Sequence, residues 1–297
     1  MHRSVPAAVS ASQIVPRPEP AATRHHRLLN SFIDHTLLIS VSAVLLAPFV
    51  FVVATSFMTG AQARTASLWP RPFQPSNYSE VFTTISLVRY TWNTLQIAVL
   101  STIGVLISSI PVAYALSRMR WRGRQTAFVL VLGTLMLPLQ VTIVPLYIVF
   151  VRLGWIDHLT PLIVPAFFGD AFSIFLLRQF FMTIPEEMSD AARVDGGSEW
   201  QIMTRVIVPL AKPAIAAVAL FSFLYSWNDL FGPLLFVGNN PHLYTLAIGL
   251  TEFTQRYGTA WELMMAASAL IMLPVIVLFF LAQKVFIEGV TLTGVKG

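Results

Sequence analysis

Four stretches of this sequence carry no Asp, Glu, Lys or Arg over unusual lengths. The gaps between Asp34 and Arg64, between Arg89 and Arg118, and between Arg124 and Arg152 hold 29, 28 and 27 residues. A fourth, from Glu262 to Lys284, holds 21. A helix crossing the hydrocarbon core of a membrane needs about 20 mostly apolar residues, because the core is about 30 Å thick and each residue rises about 1.5 Å. Each run suits one such helix, and none is long enough for a helical hairpin. Two further apolar stretches are interrupted, residues 159–182 by Asp170 and Arg178 and residues 213–237 by Asp229 alone. Counting both as spans predicts an all-α, polytopic fold with six transmembrane helices, near 36–58, 91–117, 125–150, 159–182, 213–237 and 263–284. A re-entrant or interfacial segment is the alternative for the fourth. Prolines fall in every run: Pro48, Pro111, Pro138 with Pro145, Pro161 with Pro165, Pro233 and Pro274. Membrane helices tolerate them where neighbours satisfy the freed carbonyls, so kinked, packed helices are expected.

Composition agrees with the pattern. Of 297 residues, 56% are hydrophobic and 11% charged, with a mean hydropathy of +0.70. An ordinary soluble domain carries about 25% charged residues, so a soluble enzyme is excluded, and disorder of the whole chain with it. With no cysteine, disulfide frameworks, thiolate metal sites and cysteine nucleophiles drop out.

The net charge of +5 matters less than its distribution. Six spans sort the loops onto two sides. One side carries 14 of the 19 Lys and Arg residues, including Arg118, Arg120, Arg122 and Arg124; the other carries five, Arg64, Arg71, Arg89, Arg152 and Arg256. The positive-inside rule puts the richer side, and both termini, in the cytoplasm. Residues 1–30 are rich in Pro, Ala, Ser and Arg without an apolar period, and read as a flexible cytoplasmic tail. The first apolar run is about twice the usual length of a signal-peptide core and lies far from the N-terminus, so it reads as an uncleaved anchor.

Most loops are short. Residues 59–90 and 238–262 form two longer ones on the outer side, with the length to meet an external partner or simply to cover the spans. The inner loop 183–212 carries eight charges in 30 residues, from Glu186 to Lys212, and the only Gly-Gly pair, Gly196-Gly197. That pattern predicts helix, sharp turn, helix along the membrane surface. Apolar Met188, Ala191, Ala192, Val194, Trp200, Ile202 and Met203 are interleaved with the charges, so one side should bury against a partner.

In this loop the run EEMSDAARVDGGSEWQIMTRVIVPLAKP resembles the "EAA" loop of permease subunits of ABC-type importers. The family pattern is Glu-Ala-Ala, three residues, Gly, nine residues, then Ile-x-Leu-Pro. This sequence has Asp190-Ala191-Ala192, then Gly196, then Val206-Ile207-Val208-Pro209 at the same spacing. Asp replaces the leading Glu, and Val replaces Ile and Leu. Asp195-Gly196, AYALSRMRW after the second span, WNDLFGPLLF in the fifth and the terminal GVTLTGVKG resemble the maltose-type carbohydrate branch. The tail departs from it at Thr293-Gly294. The resemblance covers about residues 31–297.

The resemblance implies a bacterial inner-membrane importer of several subunits. A second permease, or a second copy of this one, would complete the path. An external solute-binding protein would deliver a sugar or related solute, with glycerol phosphate-type solutes as an alternative. Two partner subunits would bind ATP and Mg. The loop would be the coupling lever, carried by Glu187, Asp190, Ala191, Ala192, Asp195, Gly196, Gly197 and Pro209. The chain itself has no G-x-x-x-x-G-K-[ST] phosphate loop, so it would not be the ATPase, and no cofactor of its own is expected. Its six histidines show no ligand spacing. No nucleic-acid partner is expected; the lipid bilayer is.

Asp229, beside Trp227 and Asn228, and Asp170 are the intramembrane groups that could face a translocation path. A carboxylate in hydrocarbon costs about 2.5–3.5 kcal/mol on insertion scales, so each should face the interior or water. Asp229 falls about 25 Å above Lys212, near the outer boundary. Solute binding and a structural role, capping the kink before Pro233, are both open, with the structural role favoured. An ion-driven secondary transporter is the rival function. It would place acidic groups at mid-bilayer and show an internal repeat, and neither is evident. A membrane enzyme would need a nucleophile–base or metal-ligand constellation, and none is seen.

Overall fold

The structure, a computed structural model, describes residues 21–65, 67–255 and 259–294. Among the described residues helices are the only regular secondary structure, and there is no strand. The chain divides into two compact units, Met1–Phe51 and Val52–Gly297. Most of α1 (Ala21–Ser56) makes up the described part of the first; the cores and sites described below lie in the second. The expected tail at 1–30 falls in part outside the described residues, and its remainder, 21–30, is the start of α1.

In chain order there follow α2 (Ser76–Thr84), α3 (Leu87–Ser117), α4 (Arg124–Leu135), α5 (Leu139–Arg152), α6 (Thr160–Ile163), α7 (Ala171–Thr183) and α8 (Glu186–Val194). Then come α9 (Glu199–Ile202), α10 (Val208–Leu210), α11 (Lys212–Asn228), α12 (Phe231–Phe236), α13 (Leu246–Gln255) and α14 (Trp261–Gly294). Among the described residues four helical stretches are long and apolar enough to cross a membrane: Ile33–Ser56, Leu87–Ser117, Thr160–Thr183 and Trp261–Gln283. The number rises to six if each of two sharply bent helix pairs is one span.

One bent pair is Arg124–Leu135 with Gln140–Arg152; the other, Glu199–Leu210 with Lys212–Asn228, joins the 183–212 loop to the fifth expected span. Three of the expected spans are broken. The run at 125–150 is split between α4 and α5, with the break at Met136–Pro138, where proline lacks the N–H that would continue the helix. The run at 213–237 stops at Asn228, and α12 begins at Phe231. The 17 residues of α11 reach only about 25 Å, short of a full crossing. The run at 159–182 is likewise jointed: α6, a 3-10 segment Val164–Phe168, then Gly169 at φ 102° before α7. Pro48, Pro111 and Pro274 leave their helices intact.

Helix α3 is the centre of the second unit. Its C-terminal half shares a core with α7, α11 and the 183–212 segment, built on Val105, Ala113, Leu177, Phe181, Ile202 and Ile207. Its N-terminal half shares another with α2, α13 and α14, where Val81, Ala98, Leu246, Phe253 and Ala266 are buried. Buried Asn77 ties α2 to the chain leaving α1, its Nδ2 donating to the carbonyls of Ser56 and Met58 at 2.8 Å each. Arg178 of α7 lies over the Phe128 ring of α4, 3.8 Å from its centroid, and its Nε donates to the Leu116 carbonyl at 3.1 Å.

Candidate functional site

The 183–212 segment folds as helix, turn, helix. Pro185 starts α8; Glu186 and Glu187 occupy its first turn and Arg193 its last, the arrangement the helix dipole favours. Gly196 ends it at φ 81°. Its N–H donates to the Arg193 carbonyl at 3.0 Å, and the Gly197 N–H to the Ala192 carbonyl at 2.9 Å, the paired bonds of a Schellman cap. A capping box opens α9, with Ser198 Oγ accepting from the Gln201 N–H at 3.3 Å and Gln201 Oε1 accepting from the Ser198 N–H at 2.9 Å.

The turn is braced by charge. Arg193 donates to Asp190 at 2.7 Å and to Glu199 at 2.9 Å, so one guanidinium joins α8 to α9. The bond from Arg193 holds the Glu199 carboxyl below the usual carboxylate range. Of the apolar residues in the loop, Ile202 and Met203 are buried in the core and Ala192 packs against it. Met188, Ala191, Val194 and Trp200 face outward, Val194 88% and Trp200 65% exposed. Three of these recur every third residue along α8 and so share a face. Of the expected residues, Glu187, Asp190, Ala191, Asp195, Gly196 and Pro209 are exposed, whereas Ala192 packs against the core and Gly197 is half-buried.

The intramembrane candidates separate into two groups. Asp170 and Asp229 both line one cavity of about 630 Å³, together with Ser222, Tyr225, Ser226 and the rings of Phe172 and Phe221. Trp227 is not in its lining: it is buried and stacks on Phe223, with centroids 5.4 Å apart. Asn228 is exposed, its Nδ2 donating to the Leu224 carbonyl at 2.7 Å. Both aspartates also hold backbone. Asp170 Oδ2 accepts from the Ser173 N–H at 2.7 Å and caps α7. Asp229 Oδ1 accepts from the Gly232 N–H at 3.1 Å at the break between α11 and α12. Sequence reasoning assigned no role to Tyr114 and Arg118, although both lie in AYALSRMRW, because their partners Glu199, Phe181 and Ile184 lie 63 to 85 positions away; local spacing carries no trace of such pairs.

This arrangement, a broken-helix bundle with a cavity of mixed lining and a helix–turn–helix on its surface, is the one expected of a membrane permease. Residues 109–291 match the family described as binding-protein-dependent transport system inner membrane component. The chain is 33% identical over 278 residues to the sn-glycerol-3-phosphate transport system permease protein UgpE of Brucella abortus, across 90% of this chain and 98% of that one. It is 34% identical over 232 residues to the arabinooligosaccharides transport system permease protein AraQ of Halalkalibacterium halodurans, across 76% and 82%. A solved bacterial ABC transporter involved in the import of the acidic polysaccharide alginate superposes with a TM-score of 0.75 at 25% identity, covering 88% of this chain and 97% of that one. The chain belongs to the family of inner-membrane components of binding-protein-dependent transport systems, and is a permease subunit of an ABC importer.

Proposed function

We propose that this permease carries a sugar or sugar-like solute into the cytoplasm by alternating access, driven by ATP that partner subunits hydrolyse. The observation that carries the reading is the 186–209 loop, with its EAA spacing, its Schellman turn at Gly196 and an outward apolar stripe braced by Arg193. Such a surface suits a cleft on an ATPase. ATP energy enters only if that partner contacts the inward- and outward-facing states unequally, since equal binding would shift nothing. The loop must therefore move as one piece.

In this reading the chain crosses the membrane six times with both termini in the cytoplasm, supported by the 14-to-5 distribution of basic residues. The bent pair α4–α5 is then one crossing, and α11 with α12 another. A second permease, or a second copy, closes the open side of the cavity. The external loops 59–90 and 238–262 meet a solute-binding protein, and two ATP-binding subunits hold ATP and Mg. The cavity has the mixed lining that suits a sugar, with hydroxyls and carboxylates for its polar edges and aromatic rings for its apolar faces.

The test is ATPase stimulation of the reconstituted complex by its binding protein, loaded in turn with arabino-oligosaccharides, malto-oligosaccharides and sn-glycerol 3-phosphate. Stimulation by oligosaccharide alone supports the sugar reading, and stimulation by the phosphate ester alone replaces it. ATP-independent uptake driven by an ion gradient would refute the mechanism.

A further inference from the structure

The AYALSRMRW segment, residues 113–121, ends α3 and has so far had no role. Three of its side chains reach the loop; Arg120, 3.3 Å from Glu186, makes an exposed pair that contributes little, and the other two are Tyr114 and Arg118. The Tyr114 hydroxyl donates to Glu199 Oε2 at 2.5 Å, so the Arg193–Glu199 brace of the turn continues into α3. One helical turn on, buried Arg118 donates through one guanidinium nitrogen to the Phe181 carbonyl at 2.6 Å and to the Ile184 carbonyl. Those carbonyls are the last of α7, where the chain leaves for α8. Residues four apart share a helix face. One face of α3 therefore holds the loop at its beginning and at its second helix.

Packing alone does not require this. Val105 and Ala113 of α3 already share an apolar core with Ile202, Met203 and Ile207, and apolar contacts can slide at little cost. Hydrogen bonds from a tyrosine and an arginine to charged or carbonyl oxygens fix register, and they are lost if the partners shift by an ångström or two. Covalently, the loop joins only α7 and α11; α3 lies more than 60 residues earlier. Without the two moorings, motion of the loop would reach α3 only through soft contacts and the solvent-exposed Arg120–Glu186 pair.

The same helix lines the cavity. Ser101 and Val105 are part of its wall, and Ser101 lies 13 residues, about 20 Å, from Tyr114 along an unbroken helix. Close to that wall α3 presses on the 164–168 segment: a Cβ at Gly104 would sit 2.7 Å from the Phe167 ring. We propose that α3 is the helix through which the loop acts on the cavity, and that Tyr114 and Arg118 are the positioning residues that attach it. The proposal rests on the coupling role given to the loop above.

The experiment needs no knowledge of the solute. In a Ser226→Cys reference chain, otherwise free of cysteine, labelling of the cavity by an impermeant maleimide is measured with and without MgATP, in the assembled complex with its binding protein. Tyr114→Phe removes only the hydroxyl, and Glu199→Gln keeps the shape of its acceptor. Each should reduce the ATP-dependent change in labelling about fivefold or more while ATP hydrolysis continues. The double variant should be no worse than Glu199→Gln alone, as expected of a single unit. A merely structural role would lower the amount or melting temperature of the complex and leave the labelling change per ATP intact, which would overturn the proposal. Gly196→Val separates the two levels. Loss of the response in Gly196→Val with a full response in Tyr114→Phe and Glu199→Gln refutes the moorings alone. A full response in all three refutes the coupling role of the loop as well.

Discussion

Substitution of the turn glycines tests the lever by two different physical routes. At Gly196 the backbone sits at φ 81°, and a Cβ added there meets nothing within 4 Å. The penalty is therefore conformational, about 1–2 kcal/mol for an ordinary L-residue and more for a β-branched one. Asn, which tolerates the left-handed region, should cost less. At 25 °C that shifts the population of the closed turn about 5- to 30-fold. At Gly197 the obstacle is contact: a Cβ would lie 2.8 Å from the Ala192 carbonyl oxygen, the acceptor of the Gly197 N–H, so the bond that closes the cap must stretch. Both effects are small beside the stability of the helical core, and the complex should still insert and assemble. The relative angle of α8 and α9 should change instead. Uptake and ATP hydrolysis measured together in proteoliposomes should show little uptake for Val at either position, with hydrolysis no longer responsive to the loaded binding protein. Gly196→Asn should fall between Val and wild type. Wild-type uptake with Val at both positions would remove the loop from coupling. Asn as damaging as Val at 196 would refute backbone strain as the cause.

Three further outcomes are expected. With Ser76→Cys and Ser198→Cys as single thiols, an impermeant reagent applied to intact cells should label position 76 and spare 198; the reverse would invert the topology. Asp229→Asn keeps an oxygen for the Gly232 N–H and should retain uptake, whereas loss of uptake in a normally assembled complex would make the charge itself functional. Asp170→Ala removes the cap of α7 and should destabilise by about 0.5–2 kcal/mol, read as a lower melting temperature of the complex, while Asp170→Asn, an equally good cap, should be close to neutral.

What the sequence made legible, and what it did not, divides by range. The left-handed glycine was readable because a Gly-Gly pair between two helical stretches is a local signal, and the structure puts Gly196 at φ 81°. The apolar runs were readable because charge-free length is also local. Where the backbone breaks inside them was not. Pro138 sits at a break, yet Pro111 and Pro274 lie in continuous helices, since neighbours contributed by distant sequence decide whether a freed carbonyl is satisfied. The link from Arg193 through Glu199 to Tyr114 was hidden for the same reason: 85 residues separate its last two members.

The two aspartates connect these observations. Each was visible as a lone charge in an apolar run, and each was open to a structural or a solute-facing role. The structure gives both a structural one: Asp170 starts α7 at the joint after Gly169, and Asp229 accepts from the chain where α11 gives way to α12. The same two residues line one cavity. These facts have a common cause. A cavity that offers polar groups among apolar helices needs places where the helices stop, and a stopped helix exposes N–H groups that hydrocarbon cannot satisfy. A carboxylate at the break satisfies them while leaving polar surface toward the space the break creates. An acidic residue interrupting an otherwise charge-free span therefore marks a helix joint and a cavity wall together, and the choice between holding the fold and facing the solute does not have to be made.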